Sequence, residues 1–102
     1  MNEESRKRIE QMLKDNRIML FMKGSPSFPQ CGFSARAVAI LREVGAKFGS
    51  FDVLEDEGIR QGIKDFGNWP TIPQLYIDGK LVGGSDIMME MYQAGELHDL
   101  VK

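Results

Sequence analysis

The strongest constraint on the fold is an uninterrupted apolar run, Ile18-Met19-Leu20-Phe21-Met22. A strand with one face in water alternates apolar and polar residues, whereas a strand covered on both faces is apolar throughout. The run therefore predicts an inner strand of a sheet that carries helices on both sides. A chain of 102 residues has room for one such layered unit, and we expect residues 1–102 to form a single domain.

Turn residues and apolar spacing indicate the elements around this strand. Asp78-Gly79 stands between Leu75-Tyr76-Ile77 and Leu81-Val82, and Asp-Gly suits the type I′ turn of a hairpin. Apolar residues at helical spacing predict the helices. In chain order we expect a helix over Glu3–Asp15, the strand Ile18–Met22, a helix from Cys31 to Val44, a strand over Phe48–Val53, a helix around Ile59–Phe66, the hairpin, and helices over Ser85–Ala94 and Glu96–Val101.

The order of these elements predicts the topology. Two strands joined through a helix form a parallel, right-handed crossover, and a hairpin adds antiparallel strands. The predicted fold class is α/β, with a four-stranded mixed sheet flanked by helices, which is the arrangement of the thioredoxin fold. Phe33 shares the helical spacing of the apolar residues Ala37, Ile40, Leu41 and Val44, which predicts the same apolar helix face. In the later helix we expect Ile87, Met88, Met91 and Tyr92 to face inward, and we expect Met88, Met89 and Met91 to fill the core.

Composition and charge exclude several function classes. A net charge of −2 argues against binding of nucleic acid through its phosphates. No apolar run approaches the ~20 residues of a membrane span. The acidic, polar start Met1–Ser5 resembles neither a secretory signal nor a transit peptide, and a single cysteine suits a reducing compartment. We therefore expect a cytoplasmic protein with neither nucleic-acid nor membrane partners.

The candidate catalytic residue is Cys31, the only cysteine of the chain. It begins a predicted helix, where unpaired backbone N–H groups and the helix dipole favour an anion, so we expect a lowered thiol pKa. Lys23, at the end of the first strand, is the candidate cation that would lower it further. A dithiol motif would have its second cysteine at Ser34, so this chain cannot form an internal disulfide. The alternative is a buried and inert core thiol.

Five motifs follow one another over nearly the whole chain. They are Met22-Lys23-Gly24, Pro26 and Pro29 with Cys31-Gly32-Phe33-Ser34, Ile59-Arg60 with Gly62-Ile63-Lys64, Asn68 to Tyr76, and Gly83-Gly84-Ser85-Asp86. In this order and at these spacings, they resemble the motifs of the monothiol, CGFS-type glutaredoxins. The resemblance implies a protein that binds glutathione and holds a [2Fe-2S] cluster between two subunits. The chain departs from the pattern at Ser85, where many relatives have a cysteine, and this removes a second-thiol redox switch.

The resemblance also implies where glutathione would bind. A cis Ile72-Pro73 bond would face Cys31, and the backbone groups of Ile72 would pair with the cysteinyl unit as an added strand does. Gly84 and Ser85, at a helix N-terminus, would receive a carboxylate, and Asp86 would neutralise the α-amino group. An ordinary trans bond and a simple helix cap are the alternatives.

The other carboxylate of glutathione, on its glycyl unit, would be bound by Lys23 and Arg60, with the guanidinium offering a fork of donors. Arg60 is favoured over Lys64, although both residues could equally form a solvated helix face. Trp69 is interpreted as a packing anchor rather than a ligand contact. The sole histidine, His98, is interpreted as a surface residue.

Ligand count connects these residues to the cluster. A [2Fe-2S] cluster needs four thiolates or their equivalents, and one chain offers only Cys31 as a metal ligand. Two chains and two glutathiones would complete the set, so we expect a monomer without the cluster and a homodimer with it.

Two functions remain open. The favoured one is a carrier for iron-sulfur acceptor proteins, acting in cluster assembly, transfer and iron homeostasis with weak or no oxidoreductase activity. The alternative is a glutathione-dependent thiol-disulfide oxidoreductase that removes glutathione from mixed disulfides, for which one protein thiol suffices. The bulky loop Pro26–Gln30 and the Trp69-Pro70 pair favour the carrier.

Overall fold

The computed structural model describes residues 1–102 and contains five α-helices and four strands. Their order agrees with the sequence prediction, apart from a short 3-10 helix that had not been expected because three residues carry no periodic signal. The elements are α1 (Glu3–Asp15), β1 (Ile18–Met22), α2 (Gly32–Glu43), β2 (Gly49–Asp52), the 3-10 helix (Val53–Glu55), α3 (Glu57–Phe66), β3 (Gln74–Ile77), β4 (Lys80–Gly83), α4 (Ser85–Gln93) and α5 (Glu96–Leu100).

The sheet is mixed and has the strand order β2-β1-β3-β4. β1 pairs parallel with β2 and antiparallel with β3, and β3 pairs antiparallel with β4. The predicted four-stranded arrangement is therefore confirmed. At the hairpin, Asp78 (φ 53°) and Gly79 (φ 76°) are both left-handed, as a type I′ turn requires. β2 ends earlier than expected because Val53 already belongs to the 3-10 helix.

Two apolar clusters lie on opposite faces of the sheet. All five residues of β1 are buried, and alternate residues point to opposite faces: Leu20 joins the cluster under α2, α4 and α5, whereas Phe21 joins the cluster under α1 and α3. The ring of Phe21 meets Tyr76 edge to face, with centroids 5.7 Å apart. This two-sided packing is why the strand lacks polar residues. None of the helices combines the length and the apolar character needed to cross a bilayer.

Two helix positions differ from the prediction. Phe33 is 59% exposed, and Ile87 is only half-buried and lies outside both apolar clusters. Both residues belong to the first turn of their helices, which faces a cleft at the end of the sheet rather than the core. The core-filling prediction is confirmed for Met88, which is fully buried, and for Met89 and Met91, which are partly buried and pack against the apolar cluster that contains Met88. His98 is exposed, as expected.

Candidate functional site

A cleft of about 430 Å³ opens at the end of the sheet. Its volume falls in the range of small-molecule sites, roughly 300–1,000 Å³. The end of β1, the starts of α2 and α4, the last turn of α3 and the segment that precedes β3 all contribute side chains. The lining residues are Lys23, Cys31, Phe33, Lys64, Trp69, Pro70, Thr71, Ile72, Pro73, Gly84, Ser85, Asp86 and Ile87.

Cys31 is the N-cap residue of α2, with extended backbone angles, and it is partly exposed in the cleft. Its pKa lies below the ordinary thiol value, mainly because the backbone N–H of Ser34 favours the thiolate. Partial burial opposes this effect, while the Phe33 N–H, the charge of Lys23 and the Ser34 hydroxyl lower the pKa further. The expected direction is therefore confirmed, and the alternative of a buried core thiol is excluded.

Ser34 has a role that sequence reasoning missed, since the residue drew attention only as the position of an absent cysteine. Its side chain is fully buried, and its Oγ accepts a hydrogen bond from the Lys23 backbone N–H at 3.0 Å. This bond joins the end of β1 to the first turn of α2. The sequence did contain a signal for this contact, because a buried hydroxyl in the first turn of a helix needs a hydrogen-bond partner. Ser34 therefore fixes the position of Cys31 relative to Lys23.

The loop that precedes Cys31 is tied to the body of the protein. Gly24 has φ +87°, and a Cβ there would lie 2.5 Å from the Phe28 carbonyl oxygen, so only glycine fits. Its N–H donates to Asp52 Oδ1 at 2.8 Å, and the same oxygen accepts from the Leu54 N–H at 2.9 Å. The Gln30 N–H closes the loop by donating to the Lys23 carbonyl at 2.9 Å. The loop is thus anchored to the end of β2.

A buried glutamine holds the cleft wall between Trp69 and Pro73. Gln74 Nε2 donates to the Trp69 carbonyl at 3.0 Å and to the Thr71 carbonyl at 3.1 Å, and Gln74 Oε1 accepts from the Tyr76 hydroxyl at 3.0 Å. Burial raises the pKa of Tyr76 to about 12, so the hydroxyl remains a donor. The Ile72-Pro73 bond in this wall is cis, as predicted.

Trp69 forms part of the cleft wall. Its indole Nε1 is buried and has no hydrogen-bond partner. The interpretation of Trp69 as a packing anchor alone is therefore incomplete, because apolar spacing cannot show which ring lines a cavity.

The start of α4 forms another side of the cleft. Gly84 is the N-cap residue and offers no side-chain cap, so N–H groups of the first turn lack that partner. A Cβ at Gly84 would lie 3.3 Å from the Pro73 carbonyl oxygen, which shows how closely the two walls approach. Ser85 is buried, whereas the Asp86 carboxylate is largely exposed and lies 3.3 Å from a guanidinium nitrogen of Arg36.

The cationic residues differ from the expectation at one position. Lys23 and Lys64 both line the cleft, but Arg60 does not, and its Nε is buried without a partner. Lys64 lies one helical turn further along α3, towards the wall that begins at Trp69, and this places Lys64 rather than Arg60 at the cavity. The cleft thus receives positive charge from β1 and α3 and negative charge from Asp86 on α4.

The metal-binding capacity of one chain is limited to this single sulfur. No group of three or more His, Cys, Asp or Glu side chains is placed to hold a metal ion. Cys31 is partly exposed and favoured as a thiolate, so it can serve as one metal ligand, but a complete thiolate set needs sulfur from other molecules.

Comparison with known proteins agrees with this arrangement. The family model described as Glutaredoxin matches residues 18–82. A monothiol glutaredoxin of Synechocystis sp. is 54% identical over 102 residues, which cover 100% of this chain and 95% of that protein. Glutaredoxin 4 of Escherichia coli K12 is 50% identical over 95 residues, covering 93% of this chain and 83% of the relative.

A solved structure is similar in the same way. The solution structure of reduced poplar apo GrxS14 superposes with a TM-score of 0.82 at 47% identity, covering 92% of this chain and 86% of that one. Its fold supports the architecture described above. The chain belongs to the glutaredoxin family and is of the monothiol type.

Proposed function

We propose that this protein binds glutathione in the cleft beside Cys31 and, as a homodimer, carries a [2Fe-2S] cluster to iron-sulfur acceptor proteins. In this role it acts in cluster assembly, transfer and iron homeostasis. The observation that carries the proposal is a partly exposed thiol, favoured as thiolate, in a chain that has no second cysteine. Such a thiol can bind a metal but cannot complete a site without external sulfur.

Glutathione suits the charges of the cleft. The tripeptide has two carboxylates, one ammonium group and one thiol, and the glutaredoxin family is a family of glutathione-binding proteins. Lys23 and Lys64 would bind the glycyl carboxylate, with Arg60 nearby on the preceding turn of α3. Asp86, on the opposite face of the sheet from α3, would bind the ammonium group. A ligand of this length would therefore lie across the end of the sheet.

The backbone would position the middle of the ligand. Ile72 precedes the cis proline in the cleft wall, and its main-chain groups would pair with the cysteinyl unit as an added strand does. The uncapped N–H groups at Gly84 and Ser85 would receive the remaining carboxylate. In this pose the glutathione sulfur would lie beside the sulfur of Cys31.

The cluster is cargo, and its ligand count sets the assembly. One chain supplies one thiolate, so two chains with two bound glutathiones would supply four. Two exposed aromatic residues lie within three positions of Cys31 in sequence, Phe28 at 75% and Phe33 at 59% exposure, and a dimer would cover them. Without the cluster, the shared ligand set that joins the two chains is missing, and the protein would be a monomer. We infer that the protein works in the cytoplasm, because cluster binding with glutathione needs a reducing compartment.

Anaerobic reconstitution with iron, sulfide and glutathione tests the proposal. We expect a coloured dimer with two glutathiones per cluster, measured by absorption, metal analysis and size-exclusion chromatography. The Cys31→Ser variant should remain a colourless monomer, while Ser25→Ala, a control in the exposed loop, should behave as the wild type. A wild-type protein that stays colourless and monomeric with glutathione present would overturn the carrier role.

A second candidate is supported by the lowered pKa of Cys31. As an oxidoreductase, the thiolate would attack the glutathione sulfur of a mixed disulfide and release the substrate thiolate. A second glutathione thiolate would then attack the Cys31–glutathione disulfide, forming glutathione disulfide and restoring Cys31. Turnover on a glutathionylated peptide distinguishes the two functions: slow turnover supports the carrier, and rapid turnover without cluster binding supports the oxidoreductase.

A further inference from the structure

Arg36, which belongs to none of the five sequence motifs, forms an ion pair with Asp86 at the edge of the cleft. Its guanidinium NH1 lies 3.3 Å from Asp86 Oδ1, so the pair joins α2 to the first turn of α4 across 50 residues of sequence. The side chains are 41% and 83% exposed, respectively. An exposed pair of this kind stabilises a fold by little. The pair is of interest for its position: Asp86 lines the cleft, and Arg36, which is not itself a lining residue, lies beside Asp86.

We propose that Arg36 is a specificity-determining residue that recognises, together with Asp86, the α-amino-acid group at the γ-glutamyl end of glutathione. This inference rests on the proposed function of the cleft. In the γ-glutamyl unit, the ammonium and the carboxylate are attached to the same carbon atom. A site for this unit therefore needs a negative and a positive group side by side, which is what Asp86 and Arg36 provide.

The geometry leaves both partners with free bonding capacity. The contact with Arg36 uses only Oδ1 of Asp86, so Oδ2 remains available to accept from the ligand ammonium. The guanidinium uses one of its five N–H groups in that contact, which leaves others to donate to the ligand carboxylate. The uncapped start of α4 lies next to Asp86 and favours the same carboxylate. Arg36 thus adds charge at the point where helix N–H groups are already free.

Calorimetric titration of the apo protein with glutathione and two analogues tests this inference. One analogue, glutaryl-Cys-Gly, lacks the α-ammonium group; the other, 4-aminobutanoyl-Cys-Gly, lacks the α-carboxylate. For Arg36→Gln we expect glutathione and the glutaryl analogue to bind about three- to fivefold more weakly, as for the loss of one exposed ion pair. Binding of the 4-aminobutanoyl analogue should not weaken, because it has no carboxylate for Arg36 to bind.

Two further variants sharpen the test. Arg42→Gln removes the same charge from the exposed last turn of α2 and should leave all three affinities unchanged. Arg36→Lys should recover part of the glutathione affinity, because the charge is kept and the fork is lost. Equal weakening of all three ligands by Arg36→Gln, or no weakening of any, would overturn the inference. Failure of the wild type to bind glutathione would instead refute the proposed function itself.

Discussion

Replacing Ser34 by alanine separates two effects that meet at the thiol. The substitution removes the hydroxyl that accepts from the Lys23 N–H at 3.0 Å, but it keeps the Ser34 backbone N–H that contributes most to lowering the Cys31 pKa. We therefore expect a clear loss of stability with only a small rise in the thiol pKa. The two quantities should change independently.

The size of the stability loss follows from burial. Ser34 is fully buried, so the Lys23 N–H would lose its partner where water does not easily replace it. An unsatisfied buried donor costs about 1–3 kcal/mol, and partial solvation of this N–H favours the lower part of that range, about 1–2 kcal/mol. For a domain of this size the melting temperature should fall by roughly 5–15 °C.

Thermal unfolding measures the first effect, and the pH dependence of iodoacetamide alkylation measures the second. Ser25→Ala is the matched control, because its Oγ also accepts from a backbone N–H, that of Phe28 at 3.2 Å, but in an exposed loop. It should change stability by less than about 0.5 kcal/mol. Equal losses in the two variants would refute the argument from burial. A return of the Cys31 pKa to the ordinary value in folded Ser34→Ala would show that the hydroxyl, not the backbone, governs the thiol.

Three further predictions concern neighbouring features. The pKa of Cys31 is lowered in the folded state, so the unfolded chain binds more protons between that pKa and the ordinary value of 9.0. The stability of the wild type relative to Cys31→Ser should therefore rise with pH across this window and level off above it. Urea titrations that show the opposite slope would contradict the lowered pKa. Gln74→Leu removes the three hydrogen bonds of a buried side chain and should cost about 3 kcal/mol in urea unfolding. Tyr76→Phe removes one of them and should cost about 1 kcal/mol, so equal costs would disprove the network. Gly24→Ala places a Cβ 2.5 Å from a carbonyl oxygen and should lower the free energy of unfolding by more than about 2 kcal/mol. Gly45→Ala, at φ +73° but in open space, should lower it by only about 1 kcal/mol. Comparable melting temperatures of the two variants would refute the steric argument.

Local signals predicted most of the fold because each was self-contained. The apolar run of β1 needed no knowledge of its neighbours, and Asp78-Gly79 specified its own left-handed turn. The start of α2 at Cys31 followed from the prolines before it and the helical spacing after it. The element order predicted a mixed four-stranded sheet, which the structure has, but it did not predict the strand order β2-β1-β3-β4.

The cleft was less predictable because its geometry depends on distant partners. Helical spacing places Phe33 on the apolar face of α2, but it cannot show that the first turn of the helix faces a cavity instead of the core. Arg60 and Lys64 differ by one turn on the same helix, and only the position of the Trp69 wall decides which side chain lines the cleft. Likewise, no local pattern pairs Arg36 with Asp86.

The double acceptor at Asp52 has a consequence for how this protein can vary. A single carboxylate oxygen accepts hydrogen bonds from the N–H groups of Gly24 and Leu54. The conformation of the segment leading to the reactive sulfur therefore depends on a strand end outside the cleft lining. A substitution that removes the Asp52 carboxylate would remove both bonds, and we expect it to shift the segment that leads to Cys31. Asp52 is therefore a position where protein engineering can alter that segment without replacing a residue of the cleft lining.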